Sequence, residues 1–152
     1  MKKVLLAASS GGHLDEISNL DLLGEKHEVI LLTEKTTCGV SSWFRRVHYV
    51  PQVNRKEWLC FPKLLVNAWQ SFRLLCREKP DVVISIGALA TIPVCLLAKV
   101  MRKKVLYIET FARIDSPSLT GKLLYRIADK TIIQWPELQR FYPEAIYGGS
   151  IY

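Results

Sequence analysis

Six short apolar runs, rich in β-branched residues and mostly separated by stretches of helical periodicity, restrict this chain to a parallel sheet covered on both faces. The runs are Lys3–Ser9, Glu28–Thr33, Val47–Pro51, Asp81–Ile86, Lys104–Glu109 and Lys130–Gln134. Helical patterns occupy Leu14–Leu23, Phe61–Glu78, Leu89–Met101, Leu119–Ala128 and Pro136–Phe141. The runs carry apolar residues nearly continuously, as strands do when helices cover both sides. No repeat, low-complexity tract or linker interrupts the 152 residues. The pattern therefore predicts one α/β domain over residues 1–152, doubly wound around a mostly parallel sheet.

Composition narrows the class. With 49% hydrophobic and 23% charged residues the chain is not disordered. A formal charge of +7 points to an anionic partner, such as phosphates, a nucleotide or a membrane surface, or serves only to keep a small protein soluble. The basic residues lie in scattered pairs and triplets, such as Arg45-Arg46 and Arg102-Lys103-Lys104, with no basic tail, which argues against nucleic acid. Cys38, Cys60, Cys76 and Cys95 form no Cys-x-x-Cys pair and read as reduced, mostly buried thiols of a cytosolic protein. Val82–Ala98 is free of charge for 17 residues, but Gly87 and Pro93 divide it into a strand, a turn and a helix. The apolar run Val4–Ala8 is too short for a signal peptide, so no membrane-spanning segment is expected.

Three local motifs carry chemistry. Ser9-Ser10-Gly11-Gly12-His13 follows the first strand and opens a helix, where backbone N–H groups can approach an anion such as a diphosphate. The same glycines also suit a plain tight turn. His13 is placed to take a proton from a sugar hydroxyl or to bond a phosphate oxygen, and equally to serve structure. Glu109 ends the fifth strand and Arg113 follows four residues later, suggesting a base with a phosphate clamp, or a local ion pair. Gly87 ends the fourth strand, for close backbone approach or simply to turn the chain. The two glycines of the first loop fall short of the dinucleotide fingerprint, although Glu34 stands where an acidic residue would hold a ribose. Thr120-Gly121-Lys122 is no P-loop, because Leu123 replaces the required hydroxyl residue. No Asp-x-Asp pair is available to clamp a divalent metal.

The Phe61–Glu78 helix carries an apolar arc through Phe61, Leu64, Leu65, Ala68, Trp69, Phe72, Leu75 and Cys76. Such an arc packs a helix on a core. The approach segment Trp58, Leu59 and Phe61, flanked by Arg55 and Lys56, instead suits docking on an anionic bilayer.

The glycine loop is followed, from Ile108 onward, by Glu109, Thr110, Phe111 and Arg113, then Ser118-Leu119-Thr120-Gly121-Lys122, Gln134-Trp135 and Phe141–Gly149. Together these residues resemble the acceptor-side subunits of two-chain glycosyltransferases that elongate lipid-linked sugars. That family includes the membrane-anchoring subunit of the eukaryotic enzyme that adds the second N-acetylglucosamine to dolichol diphosphate, and bacterial capsule and exopolysaccharide subunits. The resemblance implies a Rossmann-like half of a GT-B-type glycosyltransferase, with no cofactor and no metal. It implies a separate chain that binds most of a UDP-sugar donor, galactose being favoured, and an inverting transfer to a lipid-diphosphate-linked sugar of the undecaprenyl type. His13 and Glu109 become the candidate catalytic residues. Ser9, Ser10, Gly11, Gly12, Gly87, Arg113, Ser118, Thr120, Gly121 and Lys122 become the candidate acceptor or phosphate contacts. The implied location is the cytoplasm, peripheral on the inner face of the cell membrane. A non-catalytic membrane adaptor of the catalytic chain, or a small stand-alone nucleotide-binding enzyme, are the alternatives.

Overall fold

The computed structural model of the chain describes residues 1–37, 39–54 and 56–152. Arg55 and Cys38, one a candidate membrane contact and the other an expected thiol, lie outside the described residues. The chain forms β1 (Lys3–Ala8), α1 (Gly12–Ser18), α2 (Leu22–Lys26), β2 (Glu28–Glu34), β3 (Val47–Val50) and α3 (Cys60–Glu78). It continues through β4 (Val82–Ser85), α4 (Ile92–Val100), β5 (Lys104–Ile108), α5 (Leu119–Ile127), β6 (Lys130–Ile133) and β7 (Ile146–Tyr147). Short 3-10 turns cover Leu89–Thr91 and Pro136–Arg140.

All six neighbouring pairs in the seven-stranded sheet are parallel, in the order β3-β2-β1-β4-β5-β6-β7. The period-two alternation of side chains splits the core in two. Leu5, Ala7, Ile30, Leu32, Val83, Val105 and Tyr107 face Leu74 and Leu75 of α3, Val94, Cys95 and Ala98 of α4, and Leu124 of α5. Val4, Leu6, Ala8, Val29, Leu31, Ile84, Ile86 and Ile108 face Leu14 and Ile17 of α1, with Phe44 and Ile151. Because β1 leads outward to β2 and β3 while the chain then returns to β4, the strand order reverses between β1 and β4. Open α/β sheets bind ligands in the crevice at the carboxyl ends of two such strands.

Four features depart from the sequence expectation. The first expected helix is two: α1 ends at Ser18, and the Asp21 carboxylate, accepting from Leu22 N–H at 2.9 Å, starts α2 afresh. The strand β7 is two residues long, too short for a period to show. The described cysteines are not mostly buried: Cys95 is, and burial pushes its thiol up to about 12, but Cys60 is half-buried and Cys76 exposed.

The fourth departure is the orientation of α3. Only one edge of its apolar arc is inside. Leu75 is fully buried, whereas Phe61, Leu65 and Trp69 stand 80%, 72% and 61% exposed, with Phe72 and Cys76 also outside. The inner side instead buries Asn67, Ser71 and Glu78 beside Leu74. Asn67 donates to the Pro51 carbonyl, while its own carbonyl oxygen and the Ser71 hydroxyl have no partner among the described residues. The ordinary core-facing reading of this helix is thus overturned: the arc is wider than the sheet and α4 can cover.

Candidate functional site

The site is built at the β1–β4 switch point. After β1, Gly11 adopts φ 79° and ψ −143°, a conformation that a side chain would strain, and its carbonyl accepts from Leu14 and Asp15 to begin α1. The N–H groups of Gly12 and His13 have no partner among the described residues and stand as free donors at the helix start. His13 is half-buried, and no hydrogen bond within the described residues ties its ring. Ser9 and Ser10 are half-buried, and Ser10 is held from below by Glu34, which accepts its N–H at 3.4 Å and its hydroxyl at 3.3 Å. Glu34 also accepts from Val53 N–H at 3.0 Å and is buried, so it does not face a ribose. This removes the residue that supported a stand-alone nucleotide enzyme.

Across the switch point, Gly87 is buried and its N–H is already donated to the Ser85 hydroxyl at 3.1 Å. It turns the chain; it offers no free donor. Ala88 beyond it holds φ 135° and ψ 153°, a region nearly reserved for glycine, which costs ~1–3 kcal/mol and is characteristic of ligand-facing rims.

Glu109 is the largest correction to the expected site. It is 0% exposed, and its carboxylate accepts from the Tyr107 hydroxyl at 2.7 Å, the Tyr142 hydroxyl at 2.6 Å and the N–H groups of Thr110 and Ser118 at 3.3 Å each. The alternative reading, a local Glu109–Arg113 ion pair, is not seen among the described residues; Arg113 is exposed. Burial and the neighbouring carboxylate push both phenols well above their ordinary values, so they remain donors. Ser118 caps α5, its hydroxyl accepting from Gly121 N–H at 2.8 Å. A Cβ at Gly121 would lie 2.2 Å from Glu109 Oε2 and 2.5 Å from the Tyr142 hydroxyl, which is why glycine stands there. Thr120 and Gly121 are buried, Gly121 against this cluster, while Arg113 of the loop and Lys122 in the first turn of α5 are exposed.

Sequence reasoning missed Glu16, and Gln134 entered it only through the Gln134-Trp135 part of the family resemblance. Glu16 of α1 is 2% exposed and accepts from Thr110 Oγ1 at 2.9 Å, Phe111 N–H at 2.8 Å and the Gln134 amide. Beyond the resemblance, the signal for Gln134 was an amide at the end of an apolar strand, and Glu16, next to Asp15 in a half-polar helix, gave none. Trp135, considered for sugar stacking, donates its indole N–H to the Phe111 carbonyl and packs on the Phe111 ring, with centroids 4.9 Å apart.

Of the candidate membrane contacts, Trp58, Leu59, Phe61 and Lys56 are all exposed. They stand between β3 and α3, at the carboxyl end of the strands as His13 does, but lead into a helix on the opposite face of the sheet from α1. No helix among the described residues is long and apolar enough to cross a membrane, and no cluster of three metal-ligating side chains occurs among them.

A single parallel sheet with a glycine loop, free helix-start donors and a half-buried histidine at its switch point defines one Rossmann-like half of a GT-B-type glycosyltransferase fold. MurG of Acinetobacter baumannii superimposes with a TM-score of 0.72 at 19% identity, over 99% of this chain and 44% of that one. A UDP-N-acetylglucosamine 2-epimerase of Rickettsia bellii gives 0.77 at 17% identity, over 99% and 45%. The chain thus spans under half the length of these two-fold-larger structures. It belongs to the family of Alg14-like oligosaccharide biosynthesis proteins, whose pattern it matches over residues 4–151. The human UDP-N-acetylglucosamine transferase subunit ALG14 is 31% identical over 97% of this chain and 82% of its own length, and the rat protein 32% over the same shares.

Proposed function

We propose that this chain is the acceptor-side half of a two-chain transferase that extends a lipid-diphosphate-linked sugar, with the UDP-sugar bound mainly by a separate partner half. What supports this reading is that the relatives are named as transferase subunits, together with a switch-point crevice for which the described residues supply one wall. In place of the expected galactose, the names of the relatives favour N-acetylglucosamine as the transferred sugar. A bacterial polyprenyl carrier of the undecaprenyl type and a capsule or exopolysaccharide product remain part of the reading, as does the absence of a cofactor or metal.

In this reading the diphosphate lies against the Ser9–Gly12 loop, near the free Gly12 and His13 N–H groups, with Arg113 and Lys122 adding positive charge. The acceptor hydroxyl oxygen attacks the anomeric carbon, the bond from that carbon to the UDP oxygen breaks with inversion, and the hydroxyl proton passes to His13. UDP leaves on the partner side. Glu109, sealed beneath the loop, shapes the α5 entrance and touches neither substrate. Losing one of two candidate bases to the interior also favours a second reading, in which the chain is an adaptor and all proton transfer occurs on the partner.

The deciding experiment is turnover by purified chain with and without the partner half, using a lipid-diphosphate sugar and a UDP-sugar. We expect no turnover alone and recovery on mixing. Turnover by the isolated chain at the rate of the mixture would sink the two-chain reading.

The outward face of α3 supports peripheral attachment to an anionic membrane. Trp58, Phe61, Leu65, Trp69 and Phe72 form a continuous apolar stripe, flanked by the exposed Lys56, Arg73 and Arg77. Such a helix lies in the interface plane with its aromatic face in the acyl boundary. Binding to acidic vesicles is expected to weaken with salt, and Phe61→Ser and Trp69→Ser should each weaken it by about tenfold, since burying an aromatic side chain contributes ~1.5–3 kcal/mol. Both residues are exposed, so the melting temperature should hardly move. Unchanged vesicle binding by the double variant would dispose of this face as the contact.

A further inference from the structure

We infer that Glu16 is a positioning residue for His13, fastening the helix that carries His13 to the Thr110–Arg113 loop and, through Gln134, to the closing segment Gly148–Tyr152. The inference rests on the reading of His13 as the proton acceptor and adds what holds it in place.

Helix α1 is short, seven residues; Leu14 and Ile17 pack it on the core, and the Trp43 indole N–H donates to its last carbonyl, that of Ser18, at 2.9 Å. So short a helix has little stability of its own. What fixes it across the rim is Glu16, three residues beyond His13 and one turn along. Both carboxylate oxygens are used. Oε2 accepts from the Thr110 hydroxyl, 94 residues away in sequence, and Oε1 from Phe111 N–H and the Gln134 amide. No cation lies within ion-pair distance of Glu16 among the described residues, so these neutral donors alone stabilise the buried group. A shift of α1 would leave buried carboxylate oxygens short of donors, and that cost holds the helix in place; removing a donor lowers it.

Gln134 relays the contact outward. It is 3% exposed, donates also to the Glu109 carbonyl at 3.0 Å, and its own carbonyl accepts from Ile151 N–H at 2.9 Å. Ile151 packs into the same core face as Leu14 and Ile17. Tyr152 sets its ring edge-on against Phe111, with centroids 5.2 Å apart, and what burial it has, with Glu16 and Asp15 nearby, holds its phenol above the ordinary value. The segment after β7 therefore recrosses the carboxyl rim of the sheet and ends beside α1. Phe111, whose N–H and ring both take part, is two residues from Arg113. One network thus sets the spacing between the proposed base and the proposed phosphate clamp. A displacement of about 1 Å between reacting groups can cost ~10²-fold in rate, so this spacing is consequential.

The test is a double-mutant cycle on the reconstituted pair together with NMR of the His13 ring in the isolated chain. Glu16→Gln keeps the shape and removes one acceptor. We expect it to lower kcat by about 10-fold to 10²-fold in the natural background but by less than about twofold in the His13→Ala background, as residues acting through one another are non-additive. The His13 ring resonances should shift or broaden in Glu16→Gln and in Tyr152→Ala, whose ring contact is with Phe111. If Glu16→Gln does not fold, Thr110→Val removes one donor only and enters the same cycle, with a smaller loss of the same pattern. Equal losses in both backgrounds, with unchanged His13 resonances, would overturn the inference. If His13→Ala itself keeps full turnover, the functional reading falls, and the His13 resonances alone then decide whether Glu16 positions that ring.

Discussion

Replacing His13 by alanine is expected to lower turnover of the assembled two-chain enzyme by ~10²–10⁴-fold, the usual loss when a positioned acid–base group is removed. The histidine stands half-buried at the start of α1, at the strand-order reversal, with no hydrogen bond within the described residues competing for its ring. Its removal leaves no buried donor or acceptor stranded, so folding and partner binding should survive. Steady-state kinetics on the reconstituted pair, with thermal melts of the isolated chain, separate the two effects. Arg113→Ala, by contrast, should raise KM for the lipid acceptor more than it lowers kcat, since an exposed cation mainly binds. Full turnover by the His13 variant would transfer the chemistry to the partner and leave this chain as an adaptor.

Gly121→Ala is expected to destabilise the isolated chain by ~3 kcal/mol or more, combining an overpacking cost of ~1–3 kcal/mol with weakened hydrogen bonds to a charged group worth ~1.5–3 kcal/mol. The new methyl group would meet Glu109 Oε2 at 2.2 Å and the Tyr142 and Tyr107 hydroxyls at 2.5 and 2.6 Å. All three residues are buried, and both phenol hydroxyls are bonded to the Glu109 carboxylate, so none can swing into solvent. At ~2–4 °C per kcal/mol for a domain of this size, the melting temperature should fall by roughly 10 °C. Tyrosine near-UV circular dichroism would show the cluster opening. A melting temperature within a degree or two of the natural chain would mean that the cluster yields freely, and would reopen Glu109 as a group able to reach the crevice.

These two residues also show where sequence reading stops. His13 was visible because the signals around it are local. A strand must end, a glycine must supply a positive φ, and a helix must begin, all within a few residues. Gly121 looked like part of a ligand loop because it neighbours Ser118 and Lys122. What it actually meets is Glu109 and Tyr142, and Tyr142 lies 33 residues from Glu109 in sequence. Glu16 gave no usable signal and Gln134 showed only in the resemblance, for their contact spans 118 residues.

The sequence by itself determined the strand and helix alternation, the parallel sheet and the glycine turn at the first strand's end. Each follows from side-chain period and backbone preference over one turn or one strand. Only the tertiary structure decided which carboxylates are sealed and which way the amphipathic α3 turns. Periodicity says that α3 has an apolar arc, but not whether other elements are wide enough to cover it. Here they cover one edge, and Phe61, Leu65 and Trp69 are left outside. Likewise a glutamate at a strand's end reads the same whether it faces water or two tyrosines. The choice depends on residues that folding alone brings together.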